Sequence, residues 1–339
     1  MALSDIRIHD VENRWESLAL SLQAVSGWAG LEIDYCSLCA ALGLSLMTTS
    51  TGRDDDCLWR WMAYGRDVRL VEAAALFALR LREAHPPDAA RNLDRAPGFA
   101  QHFEASYQPI VLRALENDQP VLAWQGWPAP RQVMWGVITG PSDGGIGLAG
   151  VTIWSDGRTV PLVGPPVQLY VVEEASPRQP SHDELLRFVI DSAHRVLHNE
   201  LDERWGIVTG SRAYDLWAKR LTGDSVCPPC GDRDGSCHRR LARSVTYARE
   251  TAIRCLEHCR GTAARELQPL IDTLAVQCRG PIDALAAARD ENSADLLIRT
   301  SSGRQTLAAG VRAAQAFEQA IVAGIDELYR YLASAPAAG

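Results

Sequence analysis

The sequence predicts an α+β domain followed by a helical domain. Apolar residues recur at helical spacing in most of the chain before Glu116, and short β-prone runs then extend from Pro120 to Glu173. From Ser181 onward the spacing is helical again. Helices followed by a sheet within one segment are typical of an α+β domain, in which the two pack as layers.

Four helices are predicted in the first part of the chain. The second of them begins near Cys36 and is apolar enough to be buried. The third ends at Ala84, because His85 precedes a proline, which disfavours helical geometry in the residue before it. The four cover Glu12 to about Val25, about Tyr35 to Leu44, Arg69 to Ala84, and Ile110 to Glu116.

The predicted sheet consists of five short runs rich in Val, Ile, Thr or aromatic residues. Gly, Pro, Asn or Asp turns separate them, which favours antiparallel pairing between neighbours. The runs are Pro120–Trp124, Val133–Thr139, Gly147–Trp154, Thr159–Val163 and Val167–Glu173.

A proline-containing stretch from Ala175 to Pro180 marks the predicted domain boundary, which gives domains 1–178 and 179–339. Ser181-His-Asp-Glu184 follows with the form of a capping box, in which both side chains satisfy backbone amides at a helix start. Further helices are expected to form a bundle. They cover Ser211–Leu221, Cys237–Arg260, Thr262–Gln277, Ile282–Asp290 and Thr306–Leu332.

Charge and composition exclude several classes of partner. The 339 residues carry a formal net charge of −8, which argues against nucleic acid because phosphate binding needs clustered cations. We expect no membrane span, since charged residues interrupt every apolar run, and the N-terminus lacks the form of a secretory signal. The chain is therefore expected in the cytoplasm. Its nine cysteines are then expected to be thiols or metal ligands rather than disulfides.

Cys36 is the first candidate for chemistry. At a helix N-terminus, unsatisfied amides and the helix dipole favour a thiolate over a thiol, although the acidic Asp34 opposes this. A cysteine in this position is also common as plain core packing. Cys39 and Cys57 could join it in a soft-metal site or a redox pair, and the alternative is two core residues and one loop thiol.

Four segments resemble the bacteriocin-processing branch of the papain-like cysteine peptidases. They are also similar to the N-terminal domain of an acyltransferase family associated with butirosin biosynthesis. The segments are Asp34–Leu42, with its Cys-x-x-x-Ala-Ala-Leu helix, Ile110–Leu115, Gln119–Ala123 and Trp135–Gly140. The resemblance covers about Gly30 to Glu174 and implies a papain-like fold. It also implies that Cys36 attacks an acyl carbon while a strand histidine, oriented by Asp or Asn, takes its proton.

The sequence departs from that pattern at the general base. The resemblance implies a histidine near Trp135, yet none occurs between His102 and His182. Asp156 is the candidate for the orienting carboxylate, and His102, His182 or His194 could supply a base from elsewhere. Two functions follow. One is thiol-dependent acyl chemistry, meaning hydrolysis or transfer of an amide or thioester. The other is a catalytically inactive papain-like protein that binds a small ligand, a peptide or a metal.

A second group of cysteines and histidines predicts a structural zinc site. Cys227-Pro-Pro-Cys230-Gly has the form of a zinc knuckle, and four protein ligands would leave no position open for substrate. Uncoordinated thiols and a disulfide are the alternatives. The candidate ligands are Cys227, Cys230, Cys237, His238, Cys255, His258 and Cys259.

Overall fold

The computed structural model describes residues 2–9, 14, 16–51, 65–84, 98–129, 133–142, 147–176, 178–198, 207–223 and 236–334. The chain divides into two compact units, Met1–Leu38 with Leu70–Pro180, and Cys39–Arg69 with Ser181–Gly339. The sequence prediction placed the whole of 1–178 in one domain. In the structure, segment 39–69 belongs to the second unit.

The elements are named here in chain order. The helices are α1 (Ser17–Trp28), α2 (Tyr35–Ala41), α3 (Leu70–Leu76), α4 (Phe99–His102), α5 (Gln108–Glu116), α6 (His182–Leu197), α7 (Gly210–Thr222), α8 (Ser236–Arg260), α9 (Gln268–Ala284), α10 (Ala286–Arg289), α11 (Glu291–Leu297) and α12 (Ser301–Ser334). The strands are β1 (Thr49–Thr51), β2 (Leu79–Glu83), β3 (Val121–Trp124), β4 (Trp135–Pro141), β5 (Leu148–Thr152), β6 (Val160–Pro161), β7 (Gln168–Ala175) and β8 (Ile207–Thr209). A π-helical turn (Phe103–Tyr107) joins α4 to α5, and single 3₁₀ turns cover Leu3–Asp5 and Ile153–Ser155.

The first unit contains a six-stranded antiparallel sheet in the order β2-β7-β3-β4-β5-β6. Trp124 of β3 lies opposite Trp135 of β4, and Val121 lies opposite Val171 of β7. The central strand β3 is buried along its whole length, as expected for a strand whose two faces are both covered. The α+β class predicted from the sequence is thereby confirmed.

One predicted helix was wrong over its second half. The sequence predicted a helix from Arg69 to Ala84, but α3 ends at Leu76 and β2 follows. Ala78 has a left-handed conformation with φ of 56°, which a helix cannot continue through. Buried and exposed residues alternate from Leu79 to Arg82, and this strand pairs with β7. Tertiary pairing therefore outweighs the helix propensity of a segment rich in Ala and Leu.

The second unit is helical, with one short antiparallel pair in which Thr49 of β1 lies opposite Thr209 of β8. Helix α12 packs against α6, α7 and α9 through residues spaced three, four or seven apart, as an amphipathic helix requires. These buried residues are Leu307, Val311, Ala314, Ile321, Ile325, Leu328 and Leu332. No helix in the described ranges is long and apolar enough to cross a membrane.

A buried ion pair lies in the core of this helical unit. The side chains of Arg249 on α8 and Glu318 on α12 are fully buried, with guanidinium–carboxylate distances of 2.6 and 2.9 Å. Arg249 also donates to the carbonyl of Ser45 and to the hydroxyl of Thr48, each at 3.0 Å. Burial by itself lowers the pKa of Arg249, but the carboxylate of Glu318 more than offsets this and keeps the guanidinium charged.

Candidate functional site

Cys36 is the second residue of α2, as the sequence predicted, and it is 7% exposed. Asp34 caps this helix, because its Oδ2 accepts from the backbone N–H of Ser37 at 2.8 Å and lies 3.1 Å from the Ser37 hydroxyl. The start of α2 is fixed to the start of α1 by the Glu16 N–H, which donates to the Tyr35 hydroxyl at 3.1 Å. The cap thus places a carboxylate at the helix end where the dipole would otherwise favour a thiolate.

Trp135, near which the resemblance implies a histidine, is the first residue of β4 and is 2% exposed. Its ring contacts those of Trp124 and Tyr170, at centroid distances of 6.5 and 6.0 Å. Its backbone N–H donates to the Ser17 hydroxyl at 3.0 Å, which holds β4 against the start of α1. The three rings form an aromatic column across β4, β3 and β7. An indole has no lone pair with which to accept a thiol proton.

Asp156 lies in a left-handed turn with φ of 47°, after the 3₁₀ turn that follows β5. It does have an imidazole neighbour, because its Oδ1 lies 3.6 Å from Nδ1 of His9. The Gly157 N–H donates to the carbonyl of Ile8 at 2.9 Å and so brings the two segments together. The side chains of His9 and Asp156 are 62% and 78% exposed, so water screens the pair strongly. Sequence reasoning missed His9, since residues so far apart in the chain leave no local signal.

The other histidines proposed as bases are engaged locally. His102 is half-buried, packs edge-on against Tyr107 at 5.7 Å, and its Nδ1 lies 3.5 Å from the Ser106 hydroxyl. His182 packs against His258 with ring centroids 4.9 Å apart. Cys57, the possible soft-metal or redox partner of Cys36 and Cys39, lies outside the described residues.

The predicted zinc ligands do not converge as the sequence prediction required. Cys237 and Cys255 lie on the one helix α8, eighteen residues apart, which is about 27 Å along the axis at about 1.5 Å per residue. One ion cannot bridge that distance. Cys227 and Cys230 lie outside the described residues, so their part in a zinc site stays a prediction.

The hydrogen bonding of His238 also argues against its predicted role as a zinc ligand. Its Nδ1 accepts a hydrogen bond from the Trp217 indole at 3.1 Å. In a neutral ring the hydrogen must then be on Nε2, so this arrangement leaves no lone pair for a metal. At the other end of α8, Cys255 and Cys259 are both buried, and a hydrogen bond from Cys255 lowers the pKa of Cys259. His258, three residues after Cys255, is exposed.

A cluster that sequence reasoning did not assemble lies in the helical unit. His194 and His198 are one turn apart at the end of α6, and Asp326 of α12 lies beside both. The His194-x-x-x-His198 spacing is a signal that sequence reasoning could have used, because residues four apart share a helix face. Nothing in the sequence pairs this face with Asp326.

No protein-family model matches the chain, and no curated protein matches its sequence.

Proposed function

We propose that this protein is a catalytically inactive papain-like protein whose role is to bind a ligand. The observation that carries the proposal is the buried aromatic column at Trp135, near which a papain-like enzyme of the resembling families would have its histidine. A cysteine nucleophile needs a neighbouring group to take its proton, or a strongly stabilised thiolate. Trp135 cannot supply the first of these.

The surroundings of Cys36 support the same conclusion. The carboxylate of Asp34 caps the helix that carries Cys36 and accepts from the Ser37 amide, so one of the free N–H donors of the first turn is already engaged. Asp156, the candidate orienting residue, belongs to an exposed turn whose ionic neighbour is His9. An exposed pair of this kind contributes little to holding a catalytic imidazole in place.

A ligand of metabolite size has room on the sheet-containing unit. One cavity of about 300 Å³ is lined by Arg82, Arg113, Asn117 and Gln119 together with apolar residues of α5. A second, of about 370 Å³, shares Asn117 and Gln119 with it. These volumes lie at the lower end of the range for small-molecule sites. We therefore propose a small polar ligand, with Arg113 positioned to bind an anionic group.

The rival function is thiol-dependent acyl chemistry with Cys36 as nucleophile. Alkylation with iodoacetamide, resolved peptide by peptide by mass spectrometry from pH 5 to pH 10, separates the two. We expect Cys36 to be labelled slowly and only as the pH approaches that of ordinary thiol ionisation, about 8.5. Cys39, on the same helix and 1% exposed, is the internal control.

Rapid labelling of Cys36 below pH 7, with thioester hydrolysis that Cys36→Ala abolishes, would refute the proposal and establish the rival. Ligand binding is tested separately by thermal shift against a panel of small anionic metabolites. A compound that raises the melting temperature should lose that effect in Arg113→Ala. The matched control is Arg312→Ala, which removes another exposed helical arginine.

A further inference from the structure

We propose that His194, His198 and Asp326 form a binding site for one divalent transition-metal ion, with Zn²⁺ the best match. This inference goes beyond the proposed function and does not rest on it. The site lies within the helical unit and uses no cysteine, so it is also distinct from the predicted zinc knuckle. Two imidazoles and one carboxylate are a donor set that suits Zn²⁺ and neighbouring transition metals.

The distances fit an ion with small adjustments. Asp326 Oδ1 lies 2.8 Å from His198 Nε2 and 3.6 Å from His194 Nε2. All three ligand atoms lie within 4.8 Å of one another. In a tetrahedral site with metal–ligand bonds of about 2.0–2.2 Å, neighbouring ligand atoms are separated by about 3.3–3.5 Å. The two distances to Asp326 lie on either side of that value, so rotations of the side chains suffice to admit an ion.

The two imidazoles lie side by side at the end of α6. The His194 and His198 rings have centroids 4.4 Å apart. His198 also follows the last residue of α6, and its N–H donates to the His194 carbonyl at 3.0 Å. The negative end of the helix dipole there stabilises a bound cation.

The rings are held in orientation by packing as well as by the carboxylate. His194 stacks on Tyr329 with centroids 4.2 Å apart and planes 17° from parallel. Tyr329 lies three residues after Asp326 on α12, so the same turn supplies a ligand and supports another. Such outer contacts fix the ring geometry of metal-binding histidines.

The site is open to solvent, with side-chain exposures of 24% for His194, 39% for His198 and 34% for Asp326. Three protein ligands leave a fourth tetrahedral position for water or for a group from a bound molecule. An ion here would cross-link the end of α6 to α12.

The test titrates full-length, chelator-treated protein with Co²⁺, whose visible bands report coordination geometry and whose thiolate bands report cysteine ligation. A Cys227→Ser/Cys230→Ser background removes the predicted knuckle from the measurement. In that background we expect one Co²⁺ per chain, visible bands without thiolate bands, and displacement by Zn²⁺. His198→Gln and Asp326→Asn should each weaken binding at least about tenfold, because even changes outside the ligand shell cost about 10- to 100-fold.

The matched control is Glu327→Gln, which removes the exposed carboxylate next to Asp326 on α12 and should leave Co²⁺ binding unchanged. His194→Gln keeps the contact between His198 and Asp326. It therefore serves as the ligand variant if circular dichroism shows that His198→Gln is unfolded. Absence of stoichiometric Co²⁺ binding in the Cys227→Ser/Cys230→Ser background would overturn the site. Binding that survives all of the ligand substitutions would overturn it equally.

Discussion

Replacing Glu318 with glutamine tests the buried ion pair in the helical unit. Glutamine keeps the size of the side chain but leaves the guanidinium of Arg249 without a counter-charge, while both positions are fully buried. Breaking such a pair from one side costs about 3–5 kcal/mol, because it leaves an uncompensated charge in the core. That is a large share of the free energy of unfolding of a typical domain, which is about 5–15 kcal/mol.

Urea unfolding at pH 7, followed by far-ultraviolet circular dichroism, measures the change. The matched control is Glu257→Gln, because Glu257 pairs with Arg279 at 3.5 Å between α8 and α9 but both side chains are more than half exposed, at 57% and 60%. An exposed pair contributes about 0–1 kcal/mol. The double variant Arg249→Met/Glu318→Leu removes the unpaired charge, so it should recover part of the loss. If Glu318→Gln destabilises no more than Glu257→Gln, the reasoning about the buried pair is wrong.

Two further predictions concern stability. Burial raises the pKa of the Cys278 thiol from 9.0 to about 12, so the unfolded chain ionises first and the free energy of unfolding should fall between these values. The free energy of unfolding should fall by about 1.4 kcal/mol per pH unit. Urea titrations at pH 8 and pH 10 should show that half or all of this slope is lost in Cys278→Ser. Burial also raises the pKa of Tyr214, which adds a fall of the same sign, but only above pH 10. A Cys278→Ser variant with the same slope as the wild type between pH 8 and pH 10 would contradict the assignment of the fall to Cys278. Gly150→Ala should destabilise by about 1–3 kcal/mol or more, since its Cβ would overlap the Val137 carbonyl across the β4–β5 ladder, whereas Gly140→Ala meets nothing within 4 Å. Equal melting temperatures for these two glycine variants would argue against the strand register.

Local signals predicted much of the fold. The capping box at Ser181 is present, with the serine hydroxyl accepting from the Glu184 N–H at 3.2 Å and the Glu184 carboxylate accepting from the Ser181 N–H at 2.7 Å. Helix α8 has nearly the predicted limits. Caps and 3.6-residue periodicity act over a few residues and are therefore readable in a single sequence.

Contacts distant in sequence could not be predicted in the same way. The segment Leu79–Glu83 has helical propensity but becomes a strand because β7 offers an edge to pair with. The thiols Cys237 and Cys255 have zinc-ligand character, yet the continuous helix α8 holds them apart. The carboxylate of Asp326 has no pattern in its own segment that indicates a metal site.

The sequence by itself determined the α+β class, the strands of the sheet after Pro120, and the place of Cys36 at the start of a helix. These depend on backbone preferences and on the period of apolar residues, both of which are local. The tertiary structure alone decided that Trp135 is stacked within an aromatic column, that Asp156 meets His9, and that Asp326 meets His194 and His198. Each of these contacts joins residues from separate elements, and packing of the whole unit is what brings them together.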